Sequence, residues 1–107
     1  MRKPFRNLAA AMLMVGLVGA MSFAQSSAEA HYKSKCQMCH GEKGMADSAA
    51  GKSMKVKPVT DPDVKGMSEQ KMIDAVNDGM GKMQPFKVKL TDAQIKEVVA
   101  YFRLFSK

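Results

Sequence analysis

Cys36-Gln37-Met38-Cys39-His40 is the run in this chain where reactive residue types stand at a spacing that a specific chemistry requires. Cysteines three apart on a helical turn face the same way. Both thiols can therefore add to the two vinyl groups along one edge of a porphyrin. His40, directly after the second cysteine, can then bring an imidazole nitrogen to the iron. This is the C-x-x-C-H attachment pattern of c-type haem, a group that is attached outside the cytoplasm.

Other chemistries fit the run less well. A redox-active C-x-x-C of the thioredoxin kind belongs to a βαβ context, and no window here alternates apolar and polar residues over a strand's length. A zinc site would draw on Cys36, Cys39, His40 and His31. Neighbouring Cys39 and His40 make a strained ligand pair, however, and structural zinc sites favour two separated pairs. A disulfide closing so short a loop removes little entropy from the unfolded chain.

The elements that must position this run are all helical in pattern. His31 to Cys39 contains no breaker and reads as a helix that Gly41 and Gly44 stop. From Met45 to Lys65 the composition turns to Gly, Ser, Lys, Pro and Asp, and Pro58 and Pro62 predict a long irregular loop. Ser68 is the expected N-cap of a helix whose inward stripe holds Met72, Ile73 and Val76, with Asn77-Asp78-Gly79 ending it. A Gly-rich turn with Met80 and Met83 follows. Thr91 and Gln94 then form a capping-box pair. They open a last helix on Ile95, Val98, Val99, Phe102 and Phe105. There is no internal repeat. The fold class is all-α: three or more short helices and two long loops, enclosing so little apolar volume that a non-protein core component is expected.

The 107 residues support one small domain, and 46% hydrophobic with 25% charged residues is ordinary globular composition. Arg2, Lys3 and Arg6 precede a 14-residue apolar run from Leu8 to Met21, too short for a comfortable membrane span of ~20 residues. With Ser22 and Ala24 at the small-residue positions, residues 1–24 read as a secretory leader cleaved after Ala24, with Ala28 and Ala30 as alternative sites. An uncleaved anchor is the competing reading. Residues 25–30 then form a short polar lead-in, and 31–107 the domain. Cleavage lowers the formal charge from +7 to +4, since three basic residues and no acidic ones leave. A core this small is marginal without an added staple.

From about Tyr32 to Leu104 the chain resembles a small class I c-type cytochrome. The resemblance rests on Tyr32-x-x-x-Cys36-x-x-Cys39-His40-Gly41, the Gly79 turn, Met83-x-Pro85-Phe86, Leu90-Thr91-Asp92 and Val98-Val99-Ala100-Tyr101. It implies first and last helices that cross beside one covalently attached haem c, thioethers on Cys36 and Cys39, and iron bound by His40. It also implies a methionine from the later loop as second axial ligand.

Seven methionines follow the leader, at 38, 45, 54, 67, 72, 80 and 83. Any one of them is by default an adaptable packing residue. Met72 lies on a helical stripe and Met38 inside the attachment run, which leaves Met80 and Met83 in the Gly-rich turn. The family frame, a ligand followed by proline and then an aromatic, fits Met83 with Phe86; Met80 remains the alternative. Gln84 stands where the family often has proline, and Pro85 comes one place later. The resemblance further implies a proline carbonyl, from Pro58 or alternatively Pro62, accepting the ring N–H of the proximal histidine.

A His/Met pair fills both axial positions and raises the potential, so the expected function is a periplasmic one-electron carrier, a monomer and not an enzyme. Lys52, Lys55, Lys57, Lys82, Lys87 and Lys89 would rim the haem edge and steer the carrier to acidic surfaces on larger redox proteins. The alternative is a haem subunit of a membrane-bound oxidase or dehydrogenase complex; a third class is a peroxidase-like or ligand-binding haem protein. No nucleic-acid motif is present. Membrane association is expected only through partners or a retained leader.

Overall fold

The computed structural model describes residues 27–107, and four of the helix starts within it are set by side-chain caps. The first helix, α1, covers 27–35 of the described chain and runs through a turn at Cys36 into α2, Gln37–His40. α3 is Ala49–Ser53, α4 Pro62–Lys65, α5 Glu69–Asp78 and α6 Asp92–Leu104. Among the described residues there is no strand, only an isolated antiparallel bridge between Met80 and Met83. The all-α class is therefore correct.

The two long helices match their sequence pattern. Ser68 caps α5 by accepting from the Lys71 N–H, and Met72 and Val76 are its buried residues. Thr91 and Gln94 close both halves of the capping box on α6, at 3.2 and 2.9 Å. Ile95, Val98 and Val99 are buried on α6, and Arg103 in its last turn complements the helix dipole. α5 and α6 pack together around Met72, Val76, Phe86, Leu90, Ile95 and Val99. α1 meets the end of α6 through aromatic rings, with Tyr32 5.5 Å from Tyr101 and 5.6 Å from Phe105 between centroids. Aromatic pairs at such separations add ~0.5–1.5 kcal/mol beyond burial. The first and last helices thus meet as the resemblance implies.

Two expectations need correcting. The stretch from Met45 to Lys65 is not wholly irregular, because it contains α3 and α4. Ser48 caps α3 by accepting from Gly51. Asp61 caps α4 by accepting from Asp63, with Pro62 in the first turn, where its missing N–H removes nothing the helix needs. The prolines thus bound helices here as well as break them. The polar lead-in is, from residue 27 on, the first turn of α1, where Ala28 is buried and Glu29 pairs with Lys33 at 3.0 Å. Both alternative cleavage points, Ala28 and Ala30, therefore lie inside α1. The leader at 1–24 lies outside the described residues, and among those described no helix is long and apolar enough to cross a membrane.

Candidate haem site

The α1–α2 junction orders the C-x-x-C-H run. The Cys36 N–H still bonds to the Tyr32 carbonyl at 2.9 Å, and the Cys36 carbonyl accepts from both Cys39 and His40 at 3.2 and 3.0 Å. One helical turn therefore holds both cysteines and the histidine. α3 fixes this turn from outside. The Ser48 hydroxyl donates to the Met38 carbonyl at 2.6 Å while accepting from Gly51 at 3.0 Å. Tyr32, 1% exposed, donates its hydroxyl to the Gly41 carbonyl at 2.6 Å. Burial, and then the neighbouring Cys36, raise the Tyr32 pKa well above the ordinary phenol value, so the hydroxyl stays a donor. Tyr32→Phe leaves the buried Gly41 carbonyl without this donor; a loss of ~1–3 kcal/mol is expected, read as a lower urea midpoint of the holoprotein.

Cys36, Cys39 and His40 open on one cavity of about 850 Å³, whose far walls include Met72, Val76, Val99 and Phe102. Met80 and Met83 line the same cavity from the turn after α5, as do Met54 and Met67. The structure thus brings together all five residues singled out from the sequence. It also separates the two late methionines: Met83 is partly buried against the α5–α6 core, whereas Met80 is 59% exposed. Met38, 76% exposed, faces away.

The turn carrying these methionines hangs on Gly79. Its φ of +81° is one that glycine adopts without steric cost, and a Cβ there would stand 2.8 Å from the Met83 carbonyl oxygen. The Phe86 N–H bonds to the Val76 carbonyl at 2.8 Å, so α5 holds both ends of the turn.

A flat apolar group with an iron centre fits this arrangement on three observations. The cavity is walled mainly by aliphatic and aromatic side chains. Cys36 and Cys39 are not joined to each other in a disulfide. The His40 Nδ1 is buried with no hydrogen-bond partner, and the ring stands edge-on to Phe102 at 5.3 Å. Burial holds the His40 pKa below the ordinary imidazole value, which keeps the ring in the neutral form a metal requires. The expected hydrogen bond from His40 to Pro58 is absent: the Pro58 carbonyl instead accepts from the Asp61 N–H at 3.0 Å, just before α4.

The competing chemistries are a poorer match. Burial pushes the Cys36 thiol up to about 11, whereas exchange-active C-x-x-C sites depend on a lowered pKa. Among the described residues no three His, Cys, Asp or Glu side chains converge as a metal-ion site. The three residues therefore share a wall without forming a zinc cage.

The charged rim differs in part from expectation. Lys55, Lys57 and Lys82 border the cavity, joined by Lys35, which the sequence reading missed. Lys57 is paired with Asp63 at 2.6 Å. Lys89 donates to Gln84 at 2.7 Å and lies over the Phe86 ring. Ser48, Gly51 and Phe102 also escaped the sequence reading as parts of the site; only the helical spacing of Phe102 signalled that it faces inward.

Comparison with known proteins agrees with this geometry. A family model described as cytochrome c oxidase, cbb3-type, subunit III matches residues 23–102. Among solved structures, the KustC0563 c-type cytochrome is similar with a TM-score of 0.67 and 30% sequence identity, over 74% of this chain and 96% of that one. The curated proteins contain no match.

Proposed function

Since the chain belongs to the cbb3-type cytochrome c oxidase subunit III family of c-type cytochromes, with an all-α cytochrome c fold and one covalently bound haem c, we propose that it is an exported, periplasmic one-electron carrier with His/Met axial ligation. The observation that carries this reading is the shared cavity, onto which Cys36, Cys39, His40, Met80 and Met83 all open. Haem c supplies an iron couple that gains and loses single electrons.

The chain's own residues hold and tune that group. Cys36 and Cys39 would anchor it as thioethers, both carried on one helical turn. His40 would hold the iron through an imidazole nitrogen, and Met83 through its sulfur. Its packing against the α5–α6 core gives Met83 the more fixed position of the two late methionines. Thioether ligation favours reduced iron, and the apolar walls act in the same direction by disfavouring added charge. With His40 and Met83 both holding the iron, no position would remain for a substrate, and the protein would pass electrons without catalysing a reaction. Carbon monoxide added to the reduced holoprotein at neutral pH is the direct test: an unchanged spectrum is expected, and a shifted one would assign the protein to ligand-binding haem proteins.

Lys35, Lys55 and Lys82 give the cavity mouth a positive field that steers toward acidic surfaces on larger redox partners. Replacing Lys55 and Lys82 together by Glu is expected to slow reduction of an anionic oxidant such as hexacyanoferrate by roughly tenfold at low ionic strength, with the difference vanishing in high salt. Stopped-flow rates across a salt series measure this.

The family description favours a second reading, a haem subunit within a membrane oxidase complex. The similarity to a small c-type cytochrome, 96% of whose chain is matched, favours the separate carrier. Fractionation of native cells distinguishes them: the carrier is released with the periplasm as a monomer, and the subunit stays with membranes and co-purifies with other chains.

A further inference from the structure

We propose that Met80 is a reserve ligand for the iron, held beside Met83 on one turn so that either sulfur can take the distal position. This rests on the His/Met reading above. The two residues form a closed pair: the Met80 N–H donates to the Met83 carbonyl at 3.1 Å, and the Met83 N–H donates to the Met80 carbonyl at 2.9 Å. Residues directly opposite in an antiparallel pair project to the same face of the ribbon, with Cβ atoms roughly 4.5–5.5 Å apart. Accordingly, both line the cavity that Cys36, Cys39 and His40 share.

The protein holds the two differently: Met83 packs against the α5–α6 core, whereas Met80 lies outside that core and borders the cavity. The turn itself need not move for the exchange. Its base is tied to α5 through Gly79 and Phe86, but a Cβ on Gly81 at the tip would meet nothing within 4 Å. With three rotatable bonds, either methionine can redirect its sulfur without moving the base. Exchange breaks one iron–sulfur bond and makes another. Both thioethers are neutral, so no proton or electron moves and the charge at the iron is unchanged.

The test compares holoproteins of the wild type, Met83→Ala, Met80→Ala and the double variant, all with Cys36, Cys39 and His40 intact. Two readouts follow the ligand: the ferric sulfur-to-iron charge-transfer absorption and the NMR signal of the iron-bound methionine methyl group. Met80→Ala is expected to keep both signals through Met83, with any second methyl resonance of the wild type gone. Met83→Ala should keep both signals, weakened by no more than several-fold, with the methyl resonance displaced. The double variant should lose both and bind carbon monoxide when reduced, which also shows that Met54 and Met67 do not substitute. Complete loss in Met83→Ala, equal to the double variant, overturns the proposal. Loss in Met80→Ala with Met83→Ala unaffected also overturns it, by making Met80 the sole ligand. Absence of both signals from the wild type overturns the His/Met reading itself, and is thereby distinguished from failure of the reserve ligand alone.

Discussion

Replacing Cys36 and Cys39 together by Ser, in a host that attaches haem, is expected to yield a chain with no covalently bound haem and no cooperative unfolding transition. Met72, Val76, Phe86 and Val99 all belong to the α5–α6 core, yet all four also line the cavity of about 850 Å³. A group in the cavity would therefore pack against the same side chains that make the core. Among the described residues, the largest side chains with essentially no exposure are Tyr32, Ile95 and Val59. A domain of this size has little stability in reserve, and cofactors or cross-links commonly supply the difference. Loss of the thioether anchors therefore removes most of the folding free energy as well as the redox centre. Urea titration followed by far-ultraviolet circular dichroism reads this as a shallow, broad curve. A steep transition with a wild-type midpoint would show that the polypeptide core suffices alone.

Gly51→Ala is the second large effect, and there two local rules oppose each other. Gly51 lies inside α3, where alanine is favoured by about 1 kcal/mol on helix propensity. A Cβ at this position, however, would stand 2.4 Å from the Cys39 carbonyl oxygen and 2.9 Å from that of Ala46. Both are backbone atoms, and neither can rotate aside. α3 or the Cys39 turn must therefore shift. Overpacking of this kind costs ~1–3 kcal/mol, which outweighs the propensity gain. The variant is expected to melt lower than the wild type and to incorporate less haem, because the displaced element is the attachment run itself. A holoprotein with raised Tm and full haem content would show that α3 moves away freely.

How far the sequence anticipates these features depends on whether the signal is local. The C-x-x-C-H run, the capping box of Thr91 and Gln94, and the Ile95-Val98-Val99 stripe are short-range patterns, and each has its expected structure. Gly51 and Ser48 are different, because their role comes from α3 lying against the attachment turn, a contact that no spacing along the chain announces. α3 and α4 are only five and four residues long, and their caps, Ser48 and Asp61, stand among Gly and Pro residues that break up a helical pattern. The Pro58 carbonyl was expected to accept from His40 because the resemblance implied it. In this chain it serves the Asp61 N–H at the entry to α4. Exposure separates Met80 from Met83, and it depends on how the turn is set against α5, which composition does not encode.

The most direct measurement is the intact mass of the protein purified from a haem-attaching host, taken before and after extraction with acidified acetone. A polypeptide heavier by one haem, with the pigment retained through extraction and with Cys36 and Cys39 both unreactive to thiol reagents, is the predicted result. A mass equal to the bare polypeptide, or pigment that leaves with the solvent while both thiols titrate as free, would contradict the claim that these two cysteines hold the group that completes the core.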